Sequence, residues 1–394
     1  MHPTSVLATI TGRDRPGVTA AFFAALSAHD VDVRDVDQVV IRDRLILAVL
    51  FDLRGDPAAL RSSVTRSAHA LGMQAEVAIV DGAPNRPEPG SRSHVIVLGR
   101  PLRAGALSHV TQRIADIGAN IESVAQLANE PVSSVEMIVS TKDHAELRAV
   151  LVQAAEDTGV DIAVEQAGLR RRAKRLVVLD VDSTLIRGKA IDVLAERAGV
   201  GDKVAAITEQ AMAGQVEFCE SLRARVALLA GLAVADVEAV RDELQLTPGA
   251  RTFVRTLRQL GCQVGVVSGG FTVFTDRFVA ELGLDFAAAN ELEIVDGRVT
   301  GKVLGPIIDG PGKAAALLRF AKQSGVPLSQ TVAVGDGAND IEMIEAAGLG
   351  IAFNAKSALR AAADTSLNLP FLDTVLFVLG IPREEIEEAD DLTH

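Results

Sequence analysis

The stretch Leu176–Ile186, LVVLDVDSTLI, opens with four apolar residues, Leu176 to Leu179, in a run too short for a buried helix. Rich in β-formers and preceded by Lys174 and Arg175, it predicts the first, central strand of a parallel sheet buried on both faces. The strand leads straight into Asp180 and, one residue on, Asp182. Open α/β sheets hold their ligands at the carboxyl ends of such strands. Side chains two apart on extended chain point to the same side, so both carboxylates can face one substrate. Like charges this close are costly unless a cation neutralises them. That calls for a metal ion, and oxygen-only ligation selects Mg²⁺. Asp-x-Asp also occurs as a solvated acidic turn, so the pair needs support from further along the chain.

Three later motifs supply it. Gln263 to Val267 reads as a strand delivering Ser268-Gly269-Gly270, a hydroxyl and two glycines that can cradle phosphate oxygens through donated backbone N–H groups. Gly310-Pro-Gly-Lys313 opens a helix through Gln323. A lysine in a first turn is electrostatically unfavourable, so Lys313 either faces an anion or is simply exposed. The strand Thr331 to Val334 ends in Gly335-Asp-Gly-Ala-Asn-Asp340, placing Asp336, Asn339 and Asp340 at another strand end. With Asp180 and Asp182 nearby, these supply the remaining oxygens for one Mg²⁺. Gly350 to Phe353 reads as a last short strand, Phe371 to Leu379 as a closing helix, and Glu384 to Asp391 as a solvated tail.

Between the first strand and the helix Ala250 to Leu260 lies a helical region, Ala190 to Leu244, punctuated by Gly199, Gly214 and Gly231. It reads as a small inserted bundle able to act as a lid.

The front of the chain repeats one order twice. Strand 5–10, helix 18–29, strands 31–41 and 45–53, helix 58–72 and strand 74–80 make βαββαβ. A Pro- and Gly-rich linker, Asp81 to Ser93, separates them from strand 94–98, helix 106–118, strands 120–128 and 133–140, helix 144–158 and strand 161–166. Val33, Val36 and Gln38 align with Ile121, Val124 and Gln126 at one constant spacing, an internal duplication. Gly168 to Arg175 reads as a solvated basic connector.

Composition narrows the partners. The 394 residues are 48% hydrophobic and 23% charged, ordinary for a soluble globular protein of several domains. With 13 Phe, no Trp, no Tyr and a net charge of −13, base-stacking platforms and basic surfaces are missing, so no nucleic-acid partner is expected. Cys219 and Cys262 make no disulfide framework and read as small buried apolar residues. The amino-terminal residues lack the apolar core of a signal peptide, and no run reaches eighteen apolar residues, so the expectation is a cytoplasmic protein without a membrane partner.

Taken together, carboxylates, hydroxyl, lysine and further carboxylates, each at a strand or helix end, resemble the haloacid dehalogenase-like phosphatases. With its inserted lid, Leu176 to about Leu379 resembles the phosphoserine phosphatase branch. The two βαββαβ units resemble ACT domains, most specifically at the Asp14-Arg-Pro-Gly17 turn. The expected fold is therefore two ferredoxin-like ACT units, about 1–84 and 93–168, ahead of a Rossmann-like α/β domain, 174–394, with a helical cap at about 188–245. The resemblance implies hydrolysis of O-phospho-L-serine, with Asp180 as nucleophile, Asp182 as acid and base, and Ser268 and Lys313 stabilising the transferring oxygens. It implies Mg²⁺ held by Asp180, the Asp182 carbonyl and Asp336, with Asn339 and Asp340 supporting. Substrate contacts would come from Met212, Phe218, Arg225, Ser268, Gly269, Gly270, Lys313 and Asn339. Gly17 and Gly105 would admit an amino-acid effector, serine first, or merely shape tight turns in a dimerisation platform; a homodimer is expected by resemblance.

One position departs. By the resemblance, the family usually carries Glu where this chain has Lys189, and that Glu pairs with the substrate ammonium. A cation facing a cation costs about 1 to 4 kcal/mol at contact, depending on screening. Either Lys189 turns away and a carboxylate such as Asp192 substitutes, or the substrate is a different small phosphate ester.

Overall fold

The computed structural model describes residues 3–80, 92–168, 171, 173–212 and 215–391. The side chains of Met212, Asp390 and Asp391, and most of the 81–93 linker, lie outside the described residues. The chain divides into two compact units, Met1–Arg86 and Pro87–His394.

The smaller unit runs β1 (Thr4–Arg13), α1 (Val18–Ser27), β2 (Val31–Ile41), β3 (Arg44–Leu53), α2 (Pro57–Ala70) and β4 (Gln74–Ile79). Its sheet has the order β2-β3-β1-β4. β1 extends past the expected end at Ile10 because Thr11, Gly12 and Arg13 continue the antiparallel ladder opposite Ile46, Leu45 and Arg44. α2 starts where Asp56 accepts from the Ala58 and Ala59 amides, with Pro57 preset for the first turn. Alternate residues Val6, Ala8 and Ile10 bury against Phe22, Leu26, Leu60 and Val64.

The larger unit begins with the same order: β5 (Arg92–Gly99), α3 (Ala104–Asp116), β6 (Asn120–Ala128), β7 (Ser133–Ser140), α4 (His144–Thr158) and β8 (Asp161–Gln166), with sheet order β6-β7-β5-β8. Val95 and Val97 pack on Val110, Ile114, Leu147 and Leu151 of the helices. The opposite face, Ile96, Leu98, Leu127 and Ala163, is part of the core of the domain that follows. Arg171 is not a solvated connector residue. It is buried, pairs with Glu136 at 2.8 Å and Glu165 at 3.1 Å, and donates to the Val378 carbonyl.

That domain continues with β9 (Leu176–Leu179), α5 (Ala190–Arg197), α6 (Gly201–Met212), α7 (Phe218–Ala227), α8 (Val234–Glu243), α9 (Ala250–Gln259) and β10 (Gln263–Phe271). Then come α10 (Thr272–Leu282), β11 (Phe286–Val295), β12 (Arg298–Leu304), α11 (Gly310–Ser324), β13 (Thr331–Gly335) and α12 (Ile341–Ala346). It ends with β14 (Gly350–Phe353), α13 (Ser357–Ala362), β15 (Thr365–Leu367), α14 (Thr374–Val378) and α15 (Arg383–Asp391). The sheet order is β12-β11-β10-β9-β13-β14-β15, parallel except at the β11–β12 hairpin. β9 is central and fully buried. The chain leaves it first toward β10 and later returns to β13 on its other side, a switch point that opens a cleft at the strand ends.

Two expectations are corrected. Gly350–Phe353 is not the last strand: Thr365–Leu367 adds β15, three residues being too few to show a period. The tail is corrected in part: Glu384, Glu385, Glu387 and Glu388 are exposed, but the segment is helix α15, anchored by fully buried Ile386 and by Arg383 paired to Asp373 at 3.2 Å. Among the described residues no helix is long and apolar enough to cross a membrane.

Candidate active site

At the end of β9 the Asp180 amide donates to the Val334 carbonyl at 2.8 Å, holding the backbone against β13. Asp180 and Asp182 have extended backbone angles, and the chain turns at Ser183, whose φ of +60° is in the left-handed region. Val181, between the two carboxylates in sequence, is buried, and the charge of Asp182 acts on Asp180. The turn is closed by a Ser183 N–H donation to the Gly188 carbonyl at 2.8 Å, and the Ala190 amide donates to Asp182 Oδ1 at 3.0 Å.

Lys313 faces anions. In the first turn of α11, after Asp309 accepts from the Gly312 amide, its fully buried ammonium lies 2.7 Å from Asp180 Oδ1 and 2.6 Å from Asp340 Oδ1. Burial would lower the ammonium, but Asp180 and Asp340 outweigh it and hold Lys313 above its ordinary value, hence charged. Asp340 also accepts from the Asp336 and Gly337 amides, at 3.2 and 3.0 Å. A Cβ at Gly335 would meet the Asp340 carboxyl carbon at 2.5 Å, which is why that strand ends in glycine.

The carboxylates outnumber their counter-charge. Burial, then Asp340, raises Asp180 well above its ordinary value, against the pull of Lys313. Burial and Asp340 raise Asp336 to about 6. Asp182 is raised by burial despite the Ala190 hydrogen bond. One oxygen from each of Asp180, Asp336 and Asp340 lies within 4.8 Å of the others. An all-oxygen, under-neutralised donor set of this kind fits a hard divalent cation.

Around this centre, Ser268 is buried and its Oγ accepts from the Gly270 amide at 2.9 Å. A Cβ at Gly270 would sit 3.5 Å from Asp182 Oδ2, so the Ser-Gly-Gly turn abuts the second carboxylate. A Cβ at Gly269 would strike the Phe218 ring at 2.8 Å, which brings the cap helix α7 over the turn. Arg225, on the same helix, is buried; burial lowers its guanidinium while the charges of Asp192 and Asp182 pull it back up. Asn339 is half-buried, its Oδ1 against Gly337. Lys189 is half-buried, and its charge acts on both Asp182 and Asp336. Met212 closes α6, but its side chain lies outside the described residues. Gly17 and Gly105 sit at the starts of α1 and α3, each with open space where a Cβ would project.

Sequence reasoning missed Asn290. Buried in β11, it donates to the Gly269 carbonyl at 2.9 Å and accepts from the Ile308 amide at 2.8 Å, pinning the Ser-Gly-Gly turn to the segment before Lys313. The available signal was one amide side chain inside an otherwise apolar strand start, FAAAN. The cysteines are only half-buried, and Cys219 points its Sγ at Asp309.

The haloacid dehalogenase-like hydrolase family matches residues 174–348, and ACT domain families match residues 4–78 and 91–165. The chain is similar to a phosphoserine phosphatase of Streptomyces coelicolor, 55% identical over 98% of this chain and 95% of that one. A phosphoserine phosphatase of Mycobacterium tuberculosis is 52% identical over the same shares. A solved phosphoserine phosphatase holding a phospho-aspartyl intermediate analogue is 43% identical, with a TM-score of 0.50, covering 52% of this chain and 98% of its own. The chain belongs to the phosphoserine phosphatase family of haloacid dehalogenase-like hydrolases, with two ACT domains ahead of the hydrolase domain.

Proposed function

We propose that this enzyme hydrolyses O-phospho-L-serine to serine and phosphate through an aspartyl-phosphate on Asp180, as the last step of serine synthesis. Its working form is a cytoplasmic homodimer whose ACT domains bind an amino acid, serine first, at Gly17 and Gly105. The domains span about 1–84, 93–168 and 174–394, with the cap at about 188–245. The observation that carries the proposal is the buried Asp180 at the end of the central strand, 2.7 Å from Lys313 and one residue from Asp182.

Asp180 attacks phosphorus in line, forming one P–O bond as the bond to the seryl oxygen breaks. Asp182, whose proton affinity burial raises, gives a proton to that oxygen from its acid form. As a carboxylate it then takes a proton from the water that cleaves the acyl phosphate, and the cycle closes. Lys313, Ser268 and the Gly269 amide stabilise charge on the transferring oxygens, with the Gly270 amide holding Ser268 Oγ. Arg225 binds the substrate carboxylate, Met212 and Phe218 wall the pocket and exclude water, and Asn339 and Asp340 support from β13. Mg²⁺, held by Asp180, the Asp182 carbonyl and Asp336, supplies positive charge to the phosphoryl group when bound.

Lys189 favours a second reading, the same chemistry on another small phosphate ester, since its charge bears on Asp182 and Asp336 from inside the site. Asp192, whose charge acts on Arg225, is the carboxylate that would take an ammonium. Phosphate release is measured from phosphoserine and from phosphate esters lacking the amine, with and without Mg²⁺ and free serine. Mg²⁺-dependent turnover highest on phosphoserine supports the first reading; higher turnover of the amine-free esters selects the second; no Mg²⁺-dependent release from any ester contradicts both.

A further inference from the structure

The second βαββαβ layer reaches the metal-side loop through one short ladder of hydrogen bonds. Asp161, the first residue of β8, is buried. Its Oδ2 accepts from the backbone amides of Asn368 at 2.7 Å and Leu369 at 3.1 Å, and its Oδ1 from Asn368 Nδ2 at 2.8 Å. The peptide that donates the Asn368 N–H also carries the Leu367 carbonyl, which accepts from the Asn354 amide at 2.7 Å. Asn354 turns the chain with a φ of +48°. Two residues on, the Lys356 amide donates to the Asp336 carbonyl at 3.3 Å. Three strand ends, β8, β15 and β14, are thus tied in series to the residue after β13. A carboxylate on one side of a peptide strengthens the acceptor on its other side.

We infer that Asp161 is a positioning residue for Asp336, acting through the 367–368 peptide and the Asn354–Lys356 turn. A carboxylate accepting three hydrogen bonds there fixes the β15 end, and the β15 end fixes how the Asp336 loop is presented. The other contact of this layer with the β15 region differs. Arg148 of α4 donates to the Ala363 carbonyl at 2.6 Å and pairs with Asp364 at 3.4 Å, and Asp364 accepts from the Gly350 amide at the opposite end of β14. That contact holds the layer in place without touching the ladder.

The inference rests on Asp336 holding the metal, so both are measured by titrating the full-length, metal-free protein with Mg²⁺ in a calorimeter, without substrate. Asp161→Asn removes the negative charge and sets an –NH₂ against the one or two donors that face one of the two carboxylate oxygens, so at least one of the three hydrogen bonds is lost. It weakens Mg²⁺ binding about tenfold, the lower end of what loss of an outer-shell partner costs, whereas Arg148→Gln leaves binding unchanged. Asn368→Leu, which removes only the side-chain donor, gives a smaller shift of the same sign should Asp161→Asn not fold. In the wild-type protein Mg²⁺ also slows exchange of the Asn368 and Leu369 amides, by the reciprocity of linkage. Unchanged binding in folded Asp161→Asn, or equal weakening in Arg148→Gln, overturns the positioning role alone. A wild-type protein that binds no Mg²⁺ overturns the metal reading and this inference with it.

Discussion

The two βαββαβ units share an element order and differ in what lies against their sheets. In the first, β1 buries alternate residues, and β2 has no buried residue, exposing Val33, Val36, Val39, Val40 and Ile41. In the second, β5 is buried on both faces from Val95 to Leu98, and its outer face belongs to the catalytic core. The charges follow. Arg54 of the first unit pairs with Asp30 and Asp32 in half-exposed positions; Arg171 beside the second is buried between Glu136 and Glu165. A duplicated fold has been kept as a self-contained body in one copy and built into the enzyme's core in the other.

The largest contrast is expected at those arginines. Arg171→Met leaves two glutamates without their cation and lowers the stability of the larger unit by about 3–5 kcal/mol, while Arg54→Met leaves the urea midpoint unchanged. Next comes apolar truncation on the outer faces. Leu98→Ala, fully buried, costs about 2–5 kcal/mol; Ile46→Ala, 43% exposed, stays within about 0.5 kcal/mol. Equal losses in either pair break the comparison. Gly17 and Gly105 sharpen it on a smaller scale. Gly17 has φ +93°, so Gly17→Ala costs about 1 kcal/mol. Gly105 sits in the first turn of α3 without positive φ and with open space, so Gly105→Ala is neutral or slightly stabilising.

Individual carboxylates of the two bodies respond oppositely to acid. Burial raises Asp161 and Glu165 above their ordinary values. Their stabilising contribution is therefore complete below those ordinary values and is lost as pH rises through the folded ones. Asp52 of the first unit is held low by the Arg34 hydrogen bond. Its contribution is present above 3.8 and lost as pH falls through its folded value. Calorimetry at stepped pH, compared with the corresponding Asn variants, checks the signs. Acidification favours the larger unit through Asp161 and Glu165, against the opposite contribution of Glu136, which despite burial is lowered by its His94 hydrogen bond and by Arg171. Asp161→Asn and Asp52→Asn should flatten the respective slopes, and unchanged slopes contradict the assignment.

Part of this was legible in the chain itself. Ser5-Val-Leu-Ala-Thr-Ile10 mixes polar and apolar residues, whereas Val95-Ile-Val-Leu98 is apolar throughout, the signature of a strand covered on both faces. The carboxylate, serine and lysine motifs are legible because each follows a strand or opens a helix, and the structure brings Asp180, Lys313, Asp336 and Asp340 together. What was not legible depends on contacts distant in sequence. β15 is three residues supported by its neighbours, Arg171 lies in a stretch whose composition reads as solvated, and Asn290 works by bridging two loops. Neither period nor composition encodes such pairings.

The covalent step is tested most directly by acid-quenching the full-length enzyme during turnover of phosphoserine labelled in its phosphate, then mapping the label. Attack by Asp180 predicts a hydroxylamine-labile phosphate on the peptide containing Asp180, and a folded, inert Asp180→Asn protein that takes up none. Undiminished phosphate release by Asp180→Asn, or turnover that never labels that peptide, would contradict it.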